Sequence, residues 1–193
     1  MKCPALILAG GASKRMGRDK ASMIVDGVSM VARVAHTLKS AGFTQILISV
    51  RDGYQRQEIS GMLSHLSGVD FLIDRNVERG TLPALYSAMK SCEVLGIREI
   101  QLAPCDLPWI VPEVFTRLRA GKNRRLVMPR SSRLEPMLAL TDITSFIDAF
   151  DVAPKGSSLR DIMRRIPHEI IPMPDLDALC FQNVNSQKDL IHT

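Results

Sequence analysis

An α/β fold, a mainly parallel sheet flanked by helices, is what this sequence predicts, and two observations carry the prediction. Short apolar runs rich in Ile, Leu and Val recur through the first 110 residues. Between them lie segments whose apolar residues fall three and four apart, the spacing of a helix with one buried face. Strand and helix in alternation imply βαβ units, whose crossovers cover both faces of a parallel sheet. The length of 193 residues suits one domain, residues 1–193.

The first strand is ALILA at 5–9, a continuous apolar run closed by Gly10 and Gly11. SMVARVAHTLKSAGF at 29–43 follows as a helix, with Met30, Val31, Val34, Ala35 and Leu38 on one face and Gly42 as its stop. QILISV at 45–50 and VDFLI at 69–73 are the next strands, separated by the helical segment YQRQEISGMLSHL at 54–66. LPALYSAMKSCEVLG at 82–96 gives the third helix and EIQLAP at 99–104 the fourth strand. Beyond it, RLVMPR at 125–130 and PMLALT at 136–141 read as two more strands. Helical patterns recur in DITSFIDAF, 142–150, and SSLRDIMRRI, 157–166, before an apolar stretch at 169–173.

Composition narrows the function without choosing it. Hydrophobic residues make up 46% and charged ones 23%, values of a chain that buries a core. No apolar run approaches the roughly 20 residues that span a bilayer, and MKCPALILAGG lacks the long apolar region of a signal peptide, so the expectation is a cytoplasmic protein. Cys3, Cys92, Cys105 and Cys180 are too far apart for a zinc site or a disulfide framework. A formal charge of +5 favours an anionic partner. Aromatic residues are only 5% and none interleave with the basic stretches, which argues against nucleic acid as that partner.

Charge concentrates in LILAGGASKRMGRDKA, 6–21, where the first strand runs into two glycines and then Lys14, Arg15, Arg18 and Lys20. Open α/β sheets bind ligands at this carboxyl edge. Without a Cβ, Gly10 and Gly11 let the backbone turn and bring its amides against a phosphate, and the cations can neutralise a polyphosphate. The loop matches neither the P-loop nor the dinucleotide-binding pattern, and on the residues alone it also reads as a solvated turn. Asp106, after the fourth strand, faces the same edge, where it could ligate a hard cation or cap the turn before Pro108. Asn183 and Asn185 alternate along what reads as a last strand, with side chains on one side, or else belong to a polar turn before a helix capped by Ser186.

The loop resembles the L-A-G-G-x-S-x-R-M-G-x-D-K signature of the molybdenum cofactor guanylyltransferases, the MobA-like nucleotidyltransferases. Leu8, Ala9, Gly10, Gly11, Ser13, Arg15, Met16, Gly17, Asp19 and Lys20 match every fixed position. LAPCDLP ending at 108, EPMLAL at 135–140, SLRDIM at 158–163 and NVNSQKDL at 183–190 follow in the family's order, so the resemblance spans nearly the whole chain.

The resemblance implies a Rossmann-like fold, Mg²⁺ dependence and transfer of GMP from GTP to the terminal phosphate of molybdopterin, with pyrophosphate released. It implies catalytic roles for Arg15, Lys20 and Asp106, with Asp106 the metal ligand. Leu8, Ala9, Gly10, Gly11, Ser13, Lys20, Asp74 and Asp106 would hold the nucleotide. Glu135, Asn183 and Asn185 would line the acceptor side, and the basic stretch Lys122, Arg124, Arg125, Arg130 and Arg133 could attract that polyanionic acceptor or simply be solvated. Transient contact with molybdoenzymes or other cofactor-biosynthesis proteins is implied too, and neither nucleic acid nor membrane is.

The sequence departs from the family at two places that border the nucleotide. Arg51 in SVRD replaces a usual asparagine, and GTLPAL at 80–85 alters a G-P-L-A-G element. Arg51 could still pair bidentately with guanine O6 and N7. A CTP-dependent relative or a sugar-phosphate nucleotidyltransferase is the alternative enzyme, and a basic nucleic-acid-binding domain the alternative outside catalysis.

Overall fold

In the computed structural model, which describes residues 3–10, 19–74, 80–123, 125–186 and 189, the first apolar run becomes the central strand β1 (Ala5–Leu8). A hairpin of β2 (Ile24–Val25) and β3 (Val28–Ser29) precedes helix α1 (Met30–Ser40). Then come β4 (Ile46–Val50), α2 (Gly53–Met62), β5 (Val69–Ile73), α3 (Thr81–Val94) and β6 (Glu99–Pro104). Helix α4 (Pro112–Arg119), β7 (Leu126–Arg130), β8 (Leu140–Asp142), α5 (Ile143–Asp151), α6 (Leu159–Met163) and β9 (Glu169–Pro172) complete the series.

Seven strands form one sheet in the order β5-β4-β1-β6-β8-β7-β9. All neighbours are parallel except β8, which runs antiparallel between β6 and β7. From β1 the chain moves outward to β4 and β5, and then α3 carries it back to β6 on the other side of β1. The order of connection therefore reverses between β1 and β6, where open α/β sheets form a crevice at the strands' carboxyl ends.

Alternation along β1 shows why the sheet needs helices on both faces. Ala5 and Ile7 pack with Val34 and Leu38 of α1 and with Phe115 of α4, whereas Leu6 and Leu8 pack with Leu85 and Met89 of α3 and Phe146 of α5. Both layers are dry: Leu6, Ile7, Leu38, Phe115 and Phe146 have no exposed surface. Gly42, with φ +89°, ends the first helix as expected. No helix among the described residues is long and apolar enough to cross a membrane.

Glycine is required more stringently at 68, where the chain enters β5. Gly68 has φ +67°, and a Cβ there would stand 2.3 Å from the Thr44 carbonyl oxygen, while its own carbonyl accepts from the Ile46 amide at 2.9 Å. Gly68→Ala meets both a left-handed backbone and a clash with main chain, so a loss of about 2 kcal/mol or more is expected. Thermal unfolding measures it, and an unchanged Tm would mean that the β4–β5 edge relaxes freely.

Two strand expectations need correction. Residues 136–138 of PMLALT form a short 3-10 turn, and the strand begins only at Leu140. Pro136 has no N–H for a ladder, and the buried Gln101 amide takes the Leu138 carbonyl at 2.7 Å. The segment holding Asn183 and Asn185 is not a strand either. It crosses over the end of β6, held by a hydrogen bond from the Val184 amide to the Asp106 carbonyl at 2.9 Å.

Candidate active site

Strands β1 and β6 end side by side, Leu8 opposite Pro104, and a cavity of about 800 Å³ opens above them. Leu8, Ala9 and Gly10 form one part of its floor, and Cys105 and Asp106 the other. Gly10 lies against the next loop, since a Cβ there would be 3.3 Å from the Arg51 amide nitrogen.

The strongest charge contact in the cavity is between Lys20 and Asp106. Lys20 starts a short 3-10 turn, Lys20–Ser22, whose N-cap Asp19 accepts from the Ala21 amide at 3.1 Å and whose Ala21 is fully buried. The turn is thereby anchored, and the ammonium is 2.7 Å from Asp106 Oδ2 and 2.7 Å from Asn185 Oδ1. Asn183 Nδ2 donates to the same Asp106 oxygen at 3.3 Å. Asn183 and Asn185 thus face one side, as their alternation implied, although no strand carries them.

Asp106 Oδ1 is buried and finds no donor among the described residues. A carboxylate with one uncommitted oxygen fits a hard cation that takes few protein ligands and completes its shell with water and phosphate oxygens. No cluster of three or more His, Cys, Asp or Glu assembles among the described residues. Cys105 also lines the cavity, but burial pushes its thiol up to about 12. Burial therefore disfavours the thiolate, the form in which a cysteine acts as a nucleophile.

Behind the floor lies a polar network built on Asp19, Arg51 and Gln55. Burial holds the Asp19 carboxyl above the usual carboxylate range, opposed by the Ala21 amide, the Arg51 charge and the Gln55 amide. Arg51 is half-exposed, with its guanidinium on Asp52 at 2.9 Å and 3.8 Å from Asp19.

The opposite wall is basic. Arg133 donates to Glu135 Oε1 at 3.0 Å, and Ser131 donates to the same oxygen at 3.2 Å. Arg160, from the first turn of α6, also lines the cavity and makes no side-chain hydrogen bond or ion pair among the described residues. Thr81 and Ala84 bring in the start of α3.

Leu8, Ala9, Gly10, Lys20, Asp106, Glu135, Asn183 and Asn185 are therefore brought to one cavity from positions far apart in the chain. Arg51 and Asp74 share the carboxyl edge, after β4 and β5, but do not line it; the Asp74 amide donates to the Val50 carbonyl at 2.7 Å. Gly11, Ser13 and Arg15 lie outside the described residues, as does Arg124. Among the described residues of the basic stretch only Arg133 reaches the cavity: Lys122 and Arg125 precede β7, at the sheet's amino edge, and Arg130 is exposed at the strand's other end.

Sequence reasoning missed Gln55 and Thr81 as site residues, and it used Arg160 only as part of a motif. It also passed over the β2–β3 hairpin, although Asp26-Gly27 between IV and VS is a strong turn signal; both residues have positive φ, at 48° and 79°.

Comparisons with known proteins agree with this geometry. A sequence model of the MobA-like NTP transferase domain matches residues 5–170. The chain is 27% identical over 190 residues to an Opitutus terrae protein named "Probable molybdenum cofactor guanylyltransferase", covering 95% of this chain and 90% of that one. Molybdopterin-guanine dinucleotide biosynthesis protein A from Archaeoglobus fulgidus has a similar structure, with a TM-score of 0.73 and 22% identity over 98% of this chain and 95% of that one. A Mycobacterium tuberculosis protein solved as a complex with manganese gives a TM-score of 0.72 at 15% identity, over 100% and 99% of the two chains.

Proposed function

The chain belongs to the MobA-like NTP transferase family, and from that premise we propose that it transfers GMP from GTP to the terminal phosphate of molybdopterin, releasing pyrophosphate. The observation that carries the reading is the cluster of Lys20, Asp106, Asn183 and Asn185 on the cavity floor, beside the glycine loop at the switch point. The relatives' name supports the choice of substrates.

Attack of one phosphate on another brings two anions together, so charge repulsion is the main obstacle. Lys20 sits where it can exchange its contact with Asp106 for phosphate oxygens, and the sequence assigns Arg15 the same task. Asp106 would hold Mg²⁺ through its uncommitted oxygen, and the cation would neutralise charge on the transferred phosphoryl group and the pyrophosphate. Asn183 and Asn185 keep Asp106 and Lys20 in register. Leu8, Ala9 and Gly10, with Gly11 and Ser13, provide the nucleotide's phosphate loop, and Asp74 and Arg51 stand on the side of β1 where its base would lie. Arg160 and Arg133, the latter steadied by Glu135, face the acceptor's phosphate across the cavity. No protein nucleophile is needed, in keeping with the inert Cys105.

Base choice rests on the guanylyl form of the loop, LAGG at 8–11, with Arg51 an arginine that can pair bidentately with guanine O6 and N7. GTP is expected to outcompete CTP when both are offered with Mg²⁺ and molybdopterin, with pyrophosphate and the dinucleotide product measured. A higher kcat/KM for CTP would replace the guanylyl assignment with a cytidylyl one.

A further inference from the structure

Gln55 has no exposed surface, and its side chain reaches three separate parts of the site. Its Nε2 donates to the Ala9 carbonyl at 3.0 Å and to Asp19 Oδ2, and its Oε1 accepts from the Arg51 amide at 2.7 Å. The backbone that carries it is fixed as well, because Asp52 caps α2 by accepting from the Gln55 backbone amide at 2.8 Å.

The chemistry of these partners singles out an amide. Ala9 stands where the glycine loop leaves β1, and Asp19 where it returns, one residue before Lys20. One NH₂ group has two hydrogens, and here each goes to one end of the loop. Lys20 is then fixed twice: through its neighbour Asp19 from the Gln55 side, and through its ammonium from the Asp106 side. The third bond holds the Arg51 backbone where it passes within 3.3 Å of the position a Gly10 Cβ would take.

We propose that Gln55 is a positioning residue for the nucleotide: its buried amide joins the two ends of the glycine loop and so sets where Lys20 meets phosphate. The inference rests on reading that loop as the nucleotide's phosphate site. A buried glutamate could not replace it, because a carboxylate only accepts and would face both the Ala9 carbonyl and the Asp19 carboxylate. Methionine has the right length but makes none of the three hydrogen bonds.

Kinetics separate positioning from mere support of the fold. In Gln55→Met and Gln55→Glu, the KM for GTP should rise about tenfold or more, the equivalent of roughly 1.4 kcal/mol, while the KM for molybdopterin stays within about twofold. Adding Asp19→Asn to Gln55→Glu restores a donor facing an acceptor, and should recover part of the lost GTP affinity. A purely structural role would lower the folded, active fraction and hence apparent kcat, with both KM values unchanged, and that result overturns the proposal. Equal effects on both KM values, or no recovery in the double variant, overturn it as well. Wild-type protein that neither binds nor turns over GTP defeats the reading of the loop and the proposal with it, whereas active wild type with unaffected variants defeats only the role of Gln55.

Discussion

Replacing Asp106 by alanine is expected to lower kcat by about 10²- to 10³-fold at saturating GTP and Mg²⁺ while the protein stays folded. The size of the effect follows from what the carboxylate touches. Its Oδ2 takes the Lys20 ammonium and the Asn183 amide, and its buried Oδ1, which has no donor among the described residues, is the oxygen that would hold the cation in the proposed reaction. The fold should survive because the side chain is at the rim of the sheet and the interstrand contacts of β6 are made by residues before it. Lys20 also keeps Asn185 as a partner. Asp106→Asn tests the charge alone: similar in shape, it should lose nearly as much activity. Near-normal turnover of either variant with Mg²⁺, together with a native circular dichroism spectrum, would remove Asp106 from the machinery.

Lys20→Ala should have the second largest effect, a fall of about 10²-fold in kcat/KM for GTP. Here the ground state matters too. In the free protein the Lys20–Asp106 pair is mostly buried, with 18% and 19% of the side chains exposed, so removing the cation leaves the carboxylate undercompensated. A cost of about 1–3 kcal/mol in stability is expected, below the figure for a fully buried pair. Lys20→Arg should not restore activity, because a planar fork cannot occupy the point between Asp106 Oδ2 and Asn185 Oδ1 that the ammonium fills. Unchanged initial rates at GTP concentrations below KM would show Lys20 to be a surface cation.

The fold was legible wherever periodicity had one cause. Strands β1, β4 and β6 are buried, mainly apolar runs, and α1 and α5 present one apolar face to the sheet, so local pattern and tertiary environment say the same thing. Where several forces met, the pattern misled. PMLALT is apolar throughout, yet a proline and the Gln101 amide divide it. The alternation of Asn183 and Asn185 described their direction correctly and their secondary structure wrongly, because extended backbone need not join a ladder.

The candidate site was legible through its signature residues and much less through its supports. Gln55 looks like any polar residue of an amphipathic helix, and only the approach of Ala9 and Asp19 in three dimensions reveals it as buried. Arg160 and Thr81 enter the cavity because α6 and the start of α3 are folded over the sheet. For the basic stretch around β7 the sequence left two readings open, because proximity in sequence groups Lys122 and Arg125 with Arg133, whereas a strand's length separates them in space.

The chain's return over the end of β6 has a bearing on biosynthesis. Lys20 and Asn185 are 165 positions apart, and Asp106 and Asn183 are 77 apart. A ribosome that has delivered β1, the glycine loop and β6 has made most of the cavity floor, but the asparagines that hold its charged pair emerge only after every strand of the sheet. The floor is complete only when residues 183–185 reach the edge they close.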